Sequence, residues 1–157
     1  MGMEIERKFL VNAALWVPES EGVTIRQGYL SSIAERVVRV RVAGDAAFVT
    51  IKKATTKLTR LEFEYRIPRD DGEALLDQLC QRPLVEKTRR RQKFGGKVWE
   101  IDVFHGENDG LILAEVELLA EDERVELPLW AGSEVSNDPR YFNANLAKNP
   151  FKNWALT

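Results

Sequence analysis

Glu4, Glu6 and Lys8 stand at i, i+2 and i+4 in the stretch MEIERKFLV. In an extended segment that spacing places all three side chains on one face. The same step of two recurs in Glu62 and Glu64, in Glu100 and Asp102, and in Glu115 and Glu117. With the opposite sign it recurs in Arg39 and Arg41, and in Lys87 and Arg89. Carboxylates about 7 Å apart along a strand can share a hard divalent cation, Mg²⁺ or Mn²⁺, where strands converge. Arg and Lys repel that cation but bind phosphate oxygens, Arg often through two donors. A polyphosphate chelated by metal needs both sets together.

The elements that must carry these residues are strands. Alternation with period two runs through residues 3–11, 25–30, 36–42, 47–53 and 60–67, then 85–94, 97–104 and 111–119. Only one long helix interrupts the series, which excludes a parallel βαβ rhythm and predicts a mainly β, antiparallel fold of the α+β class. That helix is expected over 70–81, DDGEALLDQLCQ, with Asp70 and Glu73 as a capping box and Pro83 as its stop. Leu75, Leu76 and Leu79 form its apolar stripe. Gly44-Asp45 and Gly95-Gly96 predict tight hairpins, and 105–110 a longer link. The tail is rich in Asn, Pro, Trp and Ala, with short helices expected near 121–127 and 141–148. No repeat or linker divides the chain, so one domain over 1–157 is expected.

The charged faces read Glu4, Glu6, Lys8; Arg39, Arg41; Thr50, Lys52; Arg60, Glu62, Glu64; Lys87, Arg89; Glu100, Asp102; and Glu115, Glu117. The opposite faces are apolar and must be buried: Ile5/Phe9, Val38/Val40/Val42, Val49/Ile51, Leu61/Phe63/Tyr65, Trp99/Ile101/Val103 and Ala114/Val116/Leu118. Any one strand of this kind is accounted for by an ordinary sheet with one face in water. The set is harder to explain that way, because nearly every polar position is charged and the signs sort by strand. If the charged faces line an interior, the apolar faces look outward and need cover from short helices. Spacing alone leaves that orientation open.

Composition narrows the classes. Basic residues number 23 and acidic residues 25, a balance that speaks against a nucleic-acid binder. The run Lys87-Thr-Arg-Arg-Arg-Gln-Lys93 splits across two faces of a strand, so it is not one patch. Cys80, the single cysteine, permits no intrachain disulfide and reads as a small core residue. Charges from Glu4 onward exclude a signal peptide, and no apolar run spans a bilayer, so the cytosol is the expected compartment. His105, the only histidine, falls in a link and is not needed for chemistry.

At this point Glu4-x-Glu6-x-Lys8 resembles the ExExK signature of the CYTH superfamily, the triphosphate tunnel metalloenzymes. Gln27-Gly28-Tyr29-Leu30, Val38-Arg39-Val40-Arg41, Thr50-Ile51-Lys52 and Arg60-x-Glu62-x-Glu64 are similar to successive family motifs. So are Glu86-Lys87-x-Arg89, Ile101-Asp102-x-Phe104 and Ala114-Glu115-Val116-Glu117. Trp130-x-Gly132-x-Glu134-Val135 and Tyr141-x-Asn143 resemble the small bacterial branch. The resemblance implies eight antiparallel strands closed into a barrel with a charged interior, helices and tail packing outside. It implies Mg²⁺ or Mn²⁺, two ions in the active complex, held by Glu4, Glu6, Glu115 and Glu117 with Glu62, Glu64 and Asp102 in support. Lys8, Arg39, Arg41, Lys52, Lys87 and Arg89 would grip phosphates, with Arg60 and Tyr29 beside them. Glu4, Glu6, Lys8 and Glu117 are the expected catalytic set. The partner is then a small triphosphate, with no nucleic acid and no membrane. Hydrolysis of inorganic triphosphate leads; nucleoside or thiamine triphosphate hydrolysis, adenylyl cyclisation and plain polyphosphate binding are the alternatives.

Overall fold

Val, Ile, Phe and Trp at alternate positions favour pleated segments with one apolar side, and the described residues form nine strands. The computed structural model describes residues 2–56 and 58–154; Met1, Lys57 and residues 155–157 of the expected domain lie outside the described residues. The strands are β1 (Gly2–Val11), β2 (Val23–Ile33), β3 (Arg36–Ala43), β4 (Ala46–Ala54) and β5 (Thr59–Ile67). After helix α1 (Arg69–Gln78) come β6 (Val85–Phe94), β7 (Lys97–His105), β8 (Ile112–Glu117) and β9 (Ala131–Glu134), followed by helix α2 (Asn143–Lys148). Gly95 and Gly96 both adopt positive φ (58° and 74°), the conformation a two-residue hairpin between β6 and β7 requires.

All strand pairs are antiparallel, and hydrogen-bonded neighbours run β5-β4-β3-β2-β6-β7-β8-β1-β9. A further pairing joins β5 to β1, from Gly2 opposite Glu62 to Ile5 opposite Thr59. That pairing brings the series back to its start, so β1 to β8 make a ring. Each strand of a ring has one inward and one outward face, and charged side chains from β1 and from β3 to β8 line one common cavity. The charged positions look inward.

Three apolar clusters support the ring. Outside it, Phe9, Trp99, Ile101, Val116 and Trp130 pack together, with Trp99 edge-on to Trp130 at 5.6 Å. Also outside, α1 lays Leu76 on Val40, Val42 and Ala47, with Cys80 in the same cluster as expected. Gly72 permits this approach, since a Cβ there would sit 2.6 Å from that of Ala47. At one end of the ring the tail packs Tyr141, Leu146 and Ala147 against Tyr29, Phe104 and Leu113.

Several expectations need correction. Helix α1 starts after Pro68, so Asp70 lies inside its first turn and caps nothing, and Glu73 pairs with Arg26 instead. The two acids of that turn, Asp70 and Asp71, suit the positive end of the helix dipole. Leu79 is exposed, leaving the stripe to Leu75 and Leu76. Residues 121–127 form no helix: Glu121 bonds to Thr56 and Thr59, and Glu123 accepts from the Leu119 backbone N–H. Local side-chain bonds of this kind compete with helix formation. Strand β9 joins the expected eight, a short companion to β1 whose Gly132 and Ser133 weaken its strand signal. The outward faces of β4 and β5 are not fully buried, and Tyr65 is 58% exposed beside exposed Ile51 and Phe63. Among the described residues no helix is long and apolar enough to cross a membrane.

Candidate functional site

Ring order sorts most of the inward charges into two arcs, with Lys8 on β1 and Arg60 on β5 as cations among the acidic strands. Glu100 and Asp102 on β7, Glu115 on β8, Glu4 and Glu6 on β1, and Glu62 and Glu64 on β5 sit on four consecutive strands. Lys52 on β4, Arg39 and Arg41 on β3, and Lys87 and Arg89 on β6 form the remaining arc, with β2 between them. Between the arcs lies a cavity of about 320 Å³ whose walls include Glu4, Glu6, Lys8, Arg39, Arg41, Lys52, Glu62, Glu115 and Phe142. Arg60, Glu64, Lys87, Arg89 and Tyr29 line it too.

The acidic side is organised in pairs. Burial first, then the Glu115 charge and a hydrogen bond to it, holds the Glu6 carboxyl well above the usual range. Burial would raise Glu115 likewise, but Lys8, the bond from Glu6 and Arg89 more than offset it, so Glu115 stays ionised. Within the pair the proton is thus held more firmly by Glu6 than by Glu115. Glu4 is raised by burial and by its hydrogen bond with Glu62, while Lys52 opposes the shift from 3.6 Å. One oxygen of Glu4 is buried with no hydrogen-bond partner. Among the described residues no three such acids converge tightly enough to cage a metal. Paired carboxylates, with one Glu4 oxygen free of hydrogen bonds though 3.6 Å from Lys52 Nζ, nevertheless suit Mg²⁺ or Mn²⁺, which keep water and phosphate oxygens in most of their shell.

The basic side is held from behind. Asp102 accepts from Arg89 Nε and Nη2 at 2.8 and 2.9 Å and meets Lys87 Nζ at 2.8 Å. Burial opposes ionisation of Asp102, but those two cations overcome it and bring its pKa down to about 2. Lys87 is almost wholly buried, and burial outweighs Asp102 to bring its pKa to about 7. The asymmetry follows from the contacts, because Asp102 has two cations and Lys87 one anion. Arg39 Nη2 donates to Thr50 at 3.1 Å and to Glu64 at 3.4 Å, while its Nε is buried and unpartnered. Burial, then the like charges of Arg39 and Arg89, lowers Arg41 to about 9, still a cation at neutral pH.

The remaining expected residues distribute as follows. Arg60 pairs with Glu6 at 3.1 Å. Lys8 reaches the Tyr141 carbonyl at 3.1 Å and Glu115 at 3.9 Å. Tyr29 is buried and accepts from Gln27. Glu100 pairs with Arg89 and Arg91 at the rim. Glu117 stands apart: it is exposed and does not line the cavity. Asp102 sits beneath the lining, both oxygens engaged by cations. Arg90 points away from Arg89 and Arg91, against Gly22, so the basic run divides between faces as expected. His105 bonds Thr88 on the exposed surface.

Sequence reasoning overlooked Phe142 and Asn143 as site residues. The Phe142 ring lies under Arg60 and Lys8, 5.1 and 5.7 Å from ring centre to the cations. Asn143 Oδ1 accepts from Lys87 Nζ at 3.0 Å. The only signal for them is the Tyr141-x-Asn143 motif, which carries no charge.

An antiparallel ring that sets a mainly acidic arc against a basic one offers a multiply charged anion a cationic wall. Residues 2–149 match the CYTH domain model, and the chain belongs to the CYTH family. It is 46% identical over 154 residues to the inorganic triphosphatase of Acetivibrio thermocellus, covering 98% of this chain and 99% of that protein. To the inorganic triphosphatase of Nitrosomonas europaea it is 41% identical over 148 residues, covering 92% and 96%. Its fold is similar to the crystal structure of the inorganic triphosphatase NE1496, with a TM-score of 0.66 at 39% identity over 92% of this chain and 93% of that one.

Proposed function

We propose that this protein is a divalent-metal-dependent hydrolase of inorganic triphosphate, releasing diphosphate and phosphate within a closed, single-domain β-tunnel. The observation that carries the reading is the opposition of the two arcs across one cavity. The two inorganic triphosphatases, similar along nearly the whole chain, support the substrate.

Arg39, Arg41, Lys52 and Lys87 bind the phosphate oxygens, the unpartnered Nε of Arg39 being a donor in waiting. Asp102 holds Lys87 and Arg89 in place from below. Glu4, Glu6, Glu62 and Glu115 hold Mg²⁺ or Mn²⁺, two ions in the active complex, with Glu64 in support at the rim. The chemistry supplied by such ions is neutralisation of phosphate charge and acidification of water. Arg and Lys stabilise the charge that builds on the transferring group. The water oxygen bonds to the terminal phosphorus, the bridging P–O bond breaks, and its oxygen leaves with diphosphate.

Initial rates on tripolyphosphate, ATP and thiamine triphosphate, each with Mg²⁺ or Mn²⁺ and with chelator, test the reading. The expected ranking puts tripolyphosphate first and chelator-treated protein at background. Cyclic AMP formed from ATP faster than phosphate is released from tripolyphosphate would overturn it.

A further inference from the structure

Arg41 differs from the other cations of its arc in what holds it. Arg89 and Lys87 rest on Asp102, and Arg39 on Glu64. Among the described residues Arg41 makes no ion pair, and its Nε donates to the amide oxygen of Gln27 at 3.0 Å. Gln27 is 0% exposed. Its Nε2 donates to Asn143 Oδ1 at 3.1 Å and to the Tyr29 hydroxyl at 3.2 Å. Asn143 Oδ1 also accepts from Lys87 Nζ. One unbroken chain thus runs from β6 through α2 and β2 to β3.

Its polarity is fixed. Turning the Gln27 amide over would set its NH₂ against the Arg41 donor and its oxygen against the Asn143 oxygen. Buried donors facing donors are costly, so the amide has one orientation. A neutral amide can aim a guanidinium without cancelling its charge, which a carboxylate in the same place cannot do.

We propose that Gln27 and Asn143 are positioning residues for the phosphate grip, aiming Arg41 and Lys87 into the cavity while leaving the charge of Arg41 unspent for the anion. This rests on the triphosphatase reading, and the ligand it concerns is the phosphate chain itself. Neither residue touches the reacting atoms.

The test uses the whole protein and the near-isosteric variants Gln27→Glu and Asn143→Asp, with Gln27→Met as the variant that cannot bond at all. Steady-state kinetics and calorimetric Kd are measured with tripolyphosphate and Mg²⁺, and thermal midpoints alongside. In Gln27→Glu the bond to Arg41 survives but becomes an ion pair. It is expected to raise KM and Kd about tenfold or more, with kcat within about threefold. Asn143→Asp is expected to move KM the same way. Gln27→Met should also raise KM, through lost aim. A purely structural role for Gln27 predicts an unchanged KM in Gln27→Glu, and that result overturns the proposal. If wild type binds tripolyphosphate without hydrolysing it, the hydrolase reading falls and the Kd comparison still decides this one. If wild type does not bind it, both fall.

Discussion

Glu6 and Glu115 are diagonal neighbours across the β1–β8 ladder, where Glu115 stands opposite Lys8 and Glu6 opposite Glu117. Burial and the Glu115 charge hold the Glu6 carboxyl up, while Lys8 brings Glu115 down despite its burial. Two buried carboxylates in contact cannot both ionise cheaply unless a cation joins them. The pair is therefore both an instability in the metal-free protein and a ready reception for a divalent ion.

A pH dependence follows for the metal-free protein. A carboxyl raised in the folded state stabilises the fold below its unfolded value near 4.5 and loses that contribution as pH rises through its folded value. Glu115, lowered by Lys8 despite its burial, acts in the opposite sense and only below that value. The thermal midpoint should thus fall as pH climbs from about 4.5 towards 7, above which Lys87, lowered to about 7, acts in the opposite sense, and Mn²⁺ should restore more of it at pH 7 than at pH 5. Glu6→Gln should flatten the descending arm. Scanning calorimetry at stepped pH, with and without Mn²⁺, reads both effects, and proton release on Mn²⁺ binding can be counted in buffers of differing ionisation enthalpy.

Glu115 and Glu117 belong to one sequence motif, but only Glu115 lines the cavity. Glu115→Gln should lower kcat by roughly a hundredfold, in line with removing one or two charge-assisted contacts. Glu117→Gln should change it less than about twofold. Equal losses in the two variants would contradict the arrangement described.

Asp102→Asn removes the counter-charge beneath Lys87 and Arg89. Breaking a buried pair leaves its cations uncompensated, at a cost of about 3 kcal/mol or more. Urea denaturation should register that loss, and KM for tripolyphosphate should rise with it.

Arg39→Lys keeps the charge but loses the fork that bonds Thr50 while presenting a free Nε. KM should rise about tenfold, and the thermal midpoint should fall with the lost bond to buried Thr50. A normal KM in this variant would mean that the Nε faces no phosphate.

Much of this was legible in the residues. Period-two alternation carries eight strands, and the paired charges carry the lining, because both are local patterns that a strand must express. What alternation cannot encode is which strand lies beside which. The β5–β1, β1–β8 and β2–β6 pairings are long-range, and they turn sorted signs into facing arcs. Glu117 shows the limit at the scale of one residue, since a strand end can carry the right parity and still open onto solvent. Phe142 and Asn143 show another, because aromatic and amide partners of a charged site look like ordinary tail residues until the tail is placed. Residues 121–127 misled in the opposite direction, their acids bonding Thr56, Thr59 and the Leu119 backbone rather than winding a helix.

The central claim is that triphosphate lies between the arcs with divalent ions on the acidic side. Anomalous diffraction from crystals grown with Mn²⁺ and a non-hydrolysable imido analogue, whose phosphates stand in for the substrate's, tests it most directly. Mn²⁺ peaks are expected against Glu4, Glu6, Glu62 and Glu115, and phosphates against Arg39, Arg41 and Lys87. An analogue bound outside the ring, or Mn²⁺ bound away from those carboxylates, would contradict it.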